Sequence, residues 1–497
     1  YYKKSLKHHL HSPKPDHETI STIYFNIGSH HIRKAEYGKA NEVLKKSLDF
    51  ARKQFGQDHP AIAEIYNNRG TLMRVQGAYA KALEDHEKAL NIQLKTVGPE
   101  HLGTAESHLK IAVAAAALGE YARSSDAIKK SLNIYSKRLD DGHPHLAHAY
   151  YSAGIIQTHK GDHKAALKMF IKSSESYGKQ SEANDWTKAR YLVALGRTHG
   201  SLGDFNLALE MLLKALKTQT AQMGPEHPQV AYTKYLIGDC YIGKSEYEKA
   251  EKFLREAEGV LLKVPSVANH ESKITLVYEG LGRVHNSKYD TNKALEFYRK
   301  ALDARIGQLG PDHTHVARSY VTFGDAHATK GEYNKAQEYF TKALIMQRKK
   351  LGDEHPDVAE SYLLIGQLHS VATGEYDKAL EYYQKALAID LKQLEPEHPY
   401  VATSYNNIGL VHHNKGEYDK ALEHYQKSLA IRLKQLGPEH PNVAISYWSI
   451  GAAWRGKKDL TKAKEFIGKG HAILLKKLGP NHPHTKNAKA QLDALKE

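Results

Sequence analysis

One phrase recurs about every 42 residues along this chain, and it restricts the fold more than any other feature. Near the end it reads Gly437-Pro438-Glu439-His440-Pro441-Asn442-Val443-Ala444, and near the start Gly98-Pro99-Glu100-His101. Its histidine stands at His17, His59, His101, His143, His227, His270, His313, His355, His398, His440 and His482, with Asp185 filling the one gap. The steps are 42 residues, or 43 at three places. A period of this size denotes stacked supersecondary units, none of which can bury its apolar face alone. Such an array offers a long groove rather than one closed pocket.

The unbroken period also argues for one continuous array across all 497 residues instead of several globular domains. At 41% hydrophobic and 26% charged, the composition is that of a folded, water-soluble protein. Cys240 is the single cysteine, so no disulfide framework can form and a reducing, cytoplasmic setting is expected. The longest apolar stretch, Ile111 to Leu118, is too short to cross a bilayer, and no membrane insertion is expected. Residue 1 is Tyr, and Tyr1 to Leu6 resembles the end of a second helix, so the chain reads as a fragment. Net charge is +15, from 71 Lys plus Arg against 56 Asp plus Glu. That excess can favour polyanions or acidic peptides. The lysines are nevertheless spread evenly, in phrases such as Lys420-Ala-Leu and Lys434-Gln-Leu, as a solvated outer face would have them.

Each unit reads as a helix hairpin. Pro441 suits a first helical turn, and Val443, Tyr447, Ile450, Gly451 and Trp454 follow helical spacing. Lys415-Gly416-Glu417-Tyr418 marks a short turn in the neighbouring copy. A longer second helix runs through Ala421, Leu422, Tyr425 and Leu429 until Leu436-Gly437-Pro438 stops it. Two small residues recur: glycine in the first helix (Gly70, Gly154, Gly409) and alanine 12 residues later in the second (Ala82, Ala166, Ala421), 13 in one copy. A helical glycine costs roughly 1 kcal/mol against alanine. Its repetition therefore needs close approach of the partner helix. The third unit departs at both places together, with Ala112 and Ser124.

These small residues, with the aromatic after the turn (Tyr79, Tyr121, Phe205, Tyr247, Tyr333, Tyr376, Tyr418), resemble the tetratricopeptide repeat. The long unit with His355-Pro-Asp-Val-Ala, His398-Pro-Tyr-Val-Ala and His440-Pro-Asn-Val-Ala is similar to the subtype of kinesin light chains and nephrocystin-type proteins. The resemblance implies an all-α, right-handed superhelical solenoid. It divides the chain into a truncated half-repeat (1–16), eleven tandem repeats (17–481) and a closing helix (482–497).

In that family the first helices line the concave face, which makes their polar side chains the candidate peptide-binding groove. They are Asn67, Asn68 and Arg74; Tyr151 and His159; Arg190 and Arg197; Tyr235; Arg283; Arg318; and Asn406, Asn407 and His413. Asparagine pairs suit an extended main chain, because an amide offers donors and an acceptor together. Here they resemble the groove asparagines of kinesin light chains, and as an alternative they are polar fillers. Arg190 and Arg197 suit carboxylate capture, or pairing with nearby Asp and Glu. Glu64, Glu106, Asp239, Glu279, Asp325 and Glu360 make the wall mixed in charge. The family's Lys/Asn/Arg clamp for a chaperone tail is not matched.

The 32 histidines do not read as metal ligands, since a full repeat separates each marker from the next. The array continues where Asp185 replaces one. No HExxH, GxSxG, phosphate-cradling glycine loop or CxxC pair occurs, and Cys240 reads as a small buried hydrophobe. No catalysis and no cofactor are expected. The expected role is a scaffold or adaptor for protein segments, including acidic ones, in a motor or signalling assembly. The alternatives are a basic helical-repeat binder of polyanions or nucleic acid, which the absence of a repeated base-reading pair disfavours, and the sensor half of a larger signalling protein.

Overall fold

In the computed structural model, residues 16–33, 36–179, 185–263, 268–394 and 396–495 are described. Of the half-repeat expected over 1–16, only Asp16 is among them. Every regular element of the described residues is helical, and the helices pair into hairpins whose second member is usually the longer, as in Pro399–Asn414 and Tyr418–Leu436. The last helix is Pro483–Asp493. No helix among the described residues is long and apolar enough to cross a membrane.

At nine phrases the histidine immediately precedes a first helix. Its Nδ1 accepts the backbone N–H two residues on, at His59, His101, His143, His227, His313, His355, His398, His440 and His482. This satisfies one of the donors that a helix start leaves orphaned. A second histidine set closes the hairpins. His327 and His412 reach Glu332 and Glu417, the residues just before their second helices, at 2.7 and 2.8 Å.

The recurrent glycine makes room for one large side chain. A methyl group on Gly409 would stand 2.7 Å from the Tyr425 ring and 3.2 Å from the Ala421 carbonyl oxygen. Tyr425 lies four residues beyond Ala421, so the small residues exist to admit the ring between them. Where the spacing is 13 instead of 12, between Gly366 and Ala379, the first helix ends in a π-helical turn, His369–Thr373. The extra residue is taken up there as a bulge.

Successive hairpins are pinned by buried polar pairs 14 residues apart: Gln219 with Thr233, Arg305 with Ser319, Gln347 with Ser361, Asp390 with Ser404 and Arg432 with Ser446. Each joins a second helix to the next first helix. The lysines form two outer ladders. One pairs Lys with an acid four residues earlier within second helices, as in Lys342–Glu338 and Lys427–Glu423, at 2.6 and 2.7 Å. The other ties the end of a second helix to the preceding repeat's loop, as in Lys263–Glu226 and Lys434–Glu397. Exposed pairs of this kind are each worth only about 0.2–1 kcal/mol. They do show where many of the lysines sit.

The chain divides into two compact units. The first comprises residues 1–156, 172–183 and 265–272, and the second 157–171, 184–264 and 273–497. In the first, Leu48, Ala51, Ile62, Ile65 and Ile92 form a core, flanked by the Arg69–Asp85 ion pair. Gly154 and Ala166 fall one in each unit. Within the second unit the array touches itself. Three interhelical turns meet three helix starts, each pair separated by 237 residues: Gly161 with His398 and Pro399, Gly203 with His440 and Pro441, and Ser245 with His482. Lys477 Nζ adds an ion pair to Asp204 at 2.8 Å, and Lys164 Nζ donates to the Lys434 carbonyl at 2.9 Å.

Candidate functional site

The polar side chains proposed for binding lie on first helices, and the two units treat them differently. In the first unit Asn67 is buried and engaged. Its Nδ2 donates to Ser107 Oγ at 3.0 Å, and its Oδ1 lies 3.0 Å from His86 Nδ1. His86 occupies the place that Tyr425 holds elsewhere, filling the gap above Gly70. An imidazole in that gap needs a polar partner, and Asn67 is the one in reach. Burial drives the His86 pKa down to about 3, so the ring is neutral. Asn68 donates to Ser29 Oγ at 2.5 Å. Both amides line a cavity of about 230 Å³ with Phe25, Glu64, Thr71, Glu106 and Lys110. Burial, and then the charge of Glu106, raise the Glu64 carboxyl above its usual range. Arg74 is half-buried and makes no ion pair among the described residues, and desolvation lowers its pKa. Tyr151 is half-buried.

In the second unit several first-helix groups are open to water yet enclosed by protein. His315, Arg318, Asp325 and Glu360 are all exposed. Desolvation is nonetheless the largest influence on each of them. Protein packed around a group that water can still reach has this effect. Burial would depress Arg318, but the fields of Glu360, Glu279, Tyr400 and Asp357 outweigh it and raise its pKa. Burial lowers the His159 pKa, and Arg197 and Arg318 lower it further. His159, Arg197 and Arg318, which lie far apart in sequence, therefore share one electrostatic neighbourhood with Asp357. His315 joins it, pushed down to about 4 by burial and by His313, Arg305, Arg318 and His159.

A second group forms around Arg283, whose Nη2 lies 2.6 Å from Asp239 Oδ1. Burial would lower the Arg283 pKa, but Asp239 and Tyr235 outweigh it. Tyr235 itself is pushed up by burial and by Asp239. Arg190 is half-buried on the helix Asp185–Ser201. Asn406 and Asn407 are half-buried, and Asn406 Oδ1 accepts no hydrogen bond from the described residues, unlike its counterpart Asn67. His413 lies against Tyr418, with its pKa lowered first by burial and then by Arg455. Sequence reasoning passed over His315 and Asp357, and it treated Glu360 only as part of a mixed background. The signal for all three was their place on the same first-helix face.

Cys240 is buried, and burial pushes its thiol up to about 12, which makes it a poor nucleophile. No group of three or more His, Cys, Asp or Glu side chains placed to hold a metal ion occurs among the described residues.

Hairpins of this length, with a small residue on each helix and stacking through first and second helices in turn, define a helical repeat scaffold. The chain belongs to the tetratricopeptide repeat family, whose pattern matches residues 61–137, 107–179, 187–263, 274–349, 328–392 and 400–476. No curated protein matches it in sequence. Among solved structures it is similar to a Rap protein complexed with Competence and Sporulation Factor (13% identity, 75% of this chain and 98% of that one, TM-score 0.51). BtubC (BKLC) from P. vanneervenii is similar over 48% of this chain and 92% of its own, at 20% identity and a TM-score of 0.35. The APC/C hetero-tetramer Cut9-Hcn1 is similar over 100% of this chain and 92% of its own, at 14% identity and a TM-score of 0.43.

Proposed function

We propose that this chain is a non-catalytic scaffold that captures extended protein segments on its first-helix wall. The observation that carries the reading is the enclosed, water-reachable cluster of His159, Arg197, Arg318, Asp357 and Glu360. Charged groups partly withdrawn from water strengthen contacts to a ligand that completes them, and a preformed wall lowers the ordering cost of binding. The wall is mixed in sign, so the best segment carries both acidic and basic residues. A uniformly acidic one is a poorer fit. Asn406 and Asn407 extend the same wall and suit the main chain of the segment, while Arg190 lies on the same helix as Arg197. In the first unit, Asn68 at the cavity edge and Arg74 on the same first helix are the corresponding candidates, and Asn67 serves by fixing His86. A Rap protein of the same fold type complexed with Competence and Sporulation Factor is in keeping with this reading. A reducing interior compartment and a place in a larger motor or signalling assembly belong to the same proposal.

Selection of random peptides displayed on phage, with the whole chain as bait, tests it. Enriched peptides should bind in fluorescence anisotropy and lose at least about tenfold in affinity to an Arg197→Ala, Arg318→Ala, Glu360→Ala variant. No enrichment over an empty support, or equal binding to the variant, overturns the reading.

A further inference from the structure

The position after the recurrent glycine of the first helix carries a run of charges: Arg197, Asp239, Arg283, Asp325 and then Gln367. These side chains follow one another along consecutive first helices. Arg283 and Asp239 form the 2.6 Å ion pair described above. Asp325 is the last charged member, because the next position holds a neutral amide. Its carboxylate takes no hydrogen bond or ion pair from the described residues.

Asp325 and Gln367 flank a cavity of about 220 Å³ whose floor is apolar, built from Phe340, Leu364, Leu368 and Val371. Val371 belongs to the π-helical turn, the only one among the described residues, and is 63% exposed. The bulge therefore shapes this recess in a way that no other described repeat repeats. Its size suits one side chain; sites for whole small molecules run to roughly 300–1,000 Å³. A long aliphatic stem with a cationic head matches both surfaces: the stem lies on Leu364, Leu368 and Val371 while the head meets the carboxylate.

We propose that the recess beside the π turn takes an arginine or lysine side chain of a bound protein segment, with Asp325 pairing its charged head as Asp239 pairs Arg283. An uncharged apolar side chain would leave the carboxylate in an enclosed place without a counter-charge, which is costly. Desolvation already holds the Asp325 carboxyl at about 6, so a cation there relieves an existing penalty. Burial alone accounts for the raised Asp325 carboxyl; Arg318 beside Glu360 and Arg283 beside Tyr298 are the bases nearest its neighbours, and Arg283 is already paired with Asp239.

The inference rests on the peptide-capture reading, but its test uses no peptide, so the two fail separately. The probes are 1-butylguanidinium and its neutral near-isostere N-butylurea, titrated into the methyl-labelled 497-residue chain. The methyl resonances of Leu364, Leu368 and Val371 report binding. The guanidinium should shift them saturably and the urea at least about tenfold more weakly. Asp325→Asn should remove that preference. Gln367→Arg, which keeps Asp325 but supplies a cation from within the chain, should block the probe. Equal shifts from both probes, unchanged binding to either variant, or no saturable shift of these methyls overturns the proposal.

Discussion

Ser245 Oγ lies 3.0 Å from Nε2 of His482, 237 residues further along the chain. The same separation recurs at Gly161 and His398 and at Gly203 and His440. The histidine of each phrase thus has two faces. Nδ1 caps its own helix, and at these places the far side of the ring meets a turn more than five repeats away. His440 uses it to bond the backbone of Ser201.

Substitution at the turn should separate this contact from simple backbone strain. Gly203 has φ 75°, and a methyl group there would stand 2.9 Å from Pro441 Cδ. Gly331 has φ 80° with nothing within 4 Å. Both Gly→Ala changes incur the strain of a left-handed backbone, about 1–2 kcal/mol. Gly203→Ala should cost about 1 kcal/mol more in denaturant unfolding. Equal losses would show that the contact contributes nothing.

Acidification should weaken the second unit through the same histidines. Burial is the main reason that His440 and His482 sit at about 4, with His484 adding to the effect at His482, and His163 and Arg432 opposing Asp204 at His440. Their folded pKa values lie below the unfolded value of about 6.5, so the unfolded chain takes up the protons first as pH falls. The stability they confer is complete above about pH 6.5 and is lost progressively down to about pH 4, up to about 3 kcal/mol for each before solvent screening. Asparagine caps a helix without titrating. His440→Asn with His482→Asn should therefore flatten the fall in melting temperature between pH 7 and pH 4.5.

Asp390 should act in the opposite sense. It is 1% exposed, and burial raises its carboxyl to about 7, against the hydrogen bond from Ser404. A raised folded pKa means that the folded chain keeps a proton which the unfolded chain has lost. Its contribution is complete below about pH 4 and declines as pH rises to about 7. Asp390→Asn should be more stable than the parent at pH 8 by about 1 kcal/mol or more, with the difference shrinking toward pH 4. A variant that is less stable at pH 8 would contradict the assignment.

Glycines that look alike in sequence should respond in opposite directions. Gly409→Ala pushes a methyl group against Tyr425 and should cost about 1–3 kcal/mol, although alanine is the better helix former. Gly259, in the helix Tyr247–Lys263, has nothing within 4 Å. Gly259→Ala should gain about 0.5–1 kcal/mol. Melting curves of the two single variants decide the matter.

Much of the hairpin was legible because its rules are local. Pro441 opens a helix, Gly437 closes one at φ 89°, and the Gly409–Ala421 spacing marks where Tyr425 enters. The thirteen-residue spacing at Gly366 was visible too, but only the structure shows it as a π turn. The asparagine pairs look alike in sequence but differ in their surroundings. Asn67 and Asn406 have the same neighbours in sequence, yet His86 at the gap above Gly70 engages the first, and Tyr425 asks nothing of the second. The electrostatic grouping of His159 with Arg318 and the 237-residue contacts depend on how far each hairpin rotates against the last. No single repeat encodes that angle.

Arrays whose units touch only their neighbours melt from the ends inward, one link at a time. The recurring contact between turns and helix starts in the second unit adds links that skip more than five repeats. Fraying the last hairpin then exposes the surface under Ser245 as well as its own. Unfolding there should be more concerted than the repeat count alone suggests, and the middle of the unit should report the loss of its end.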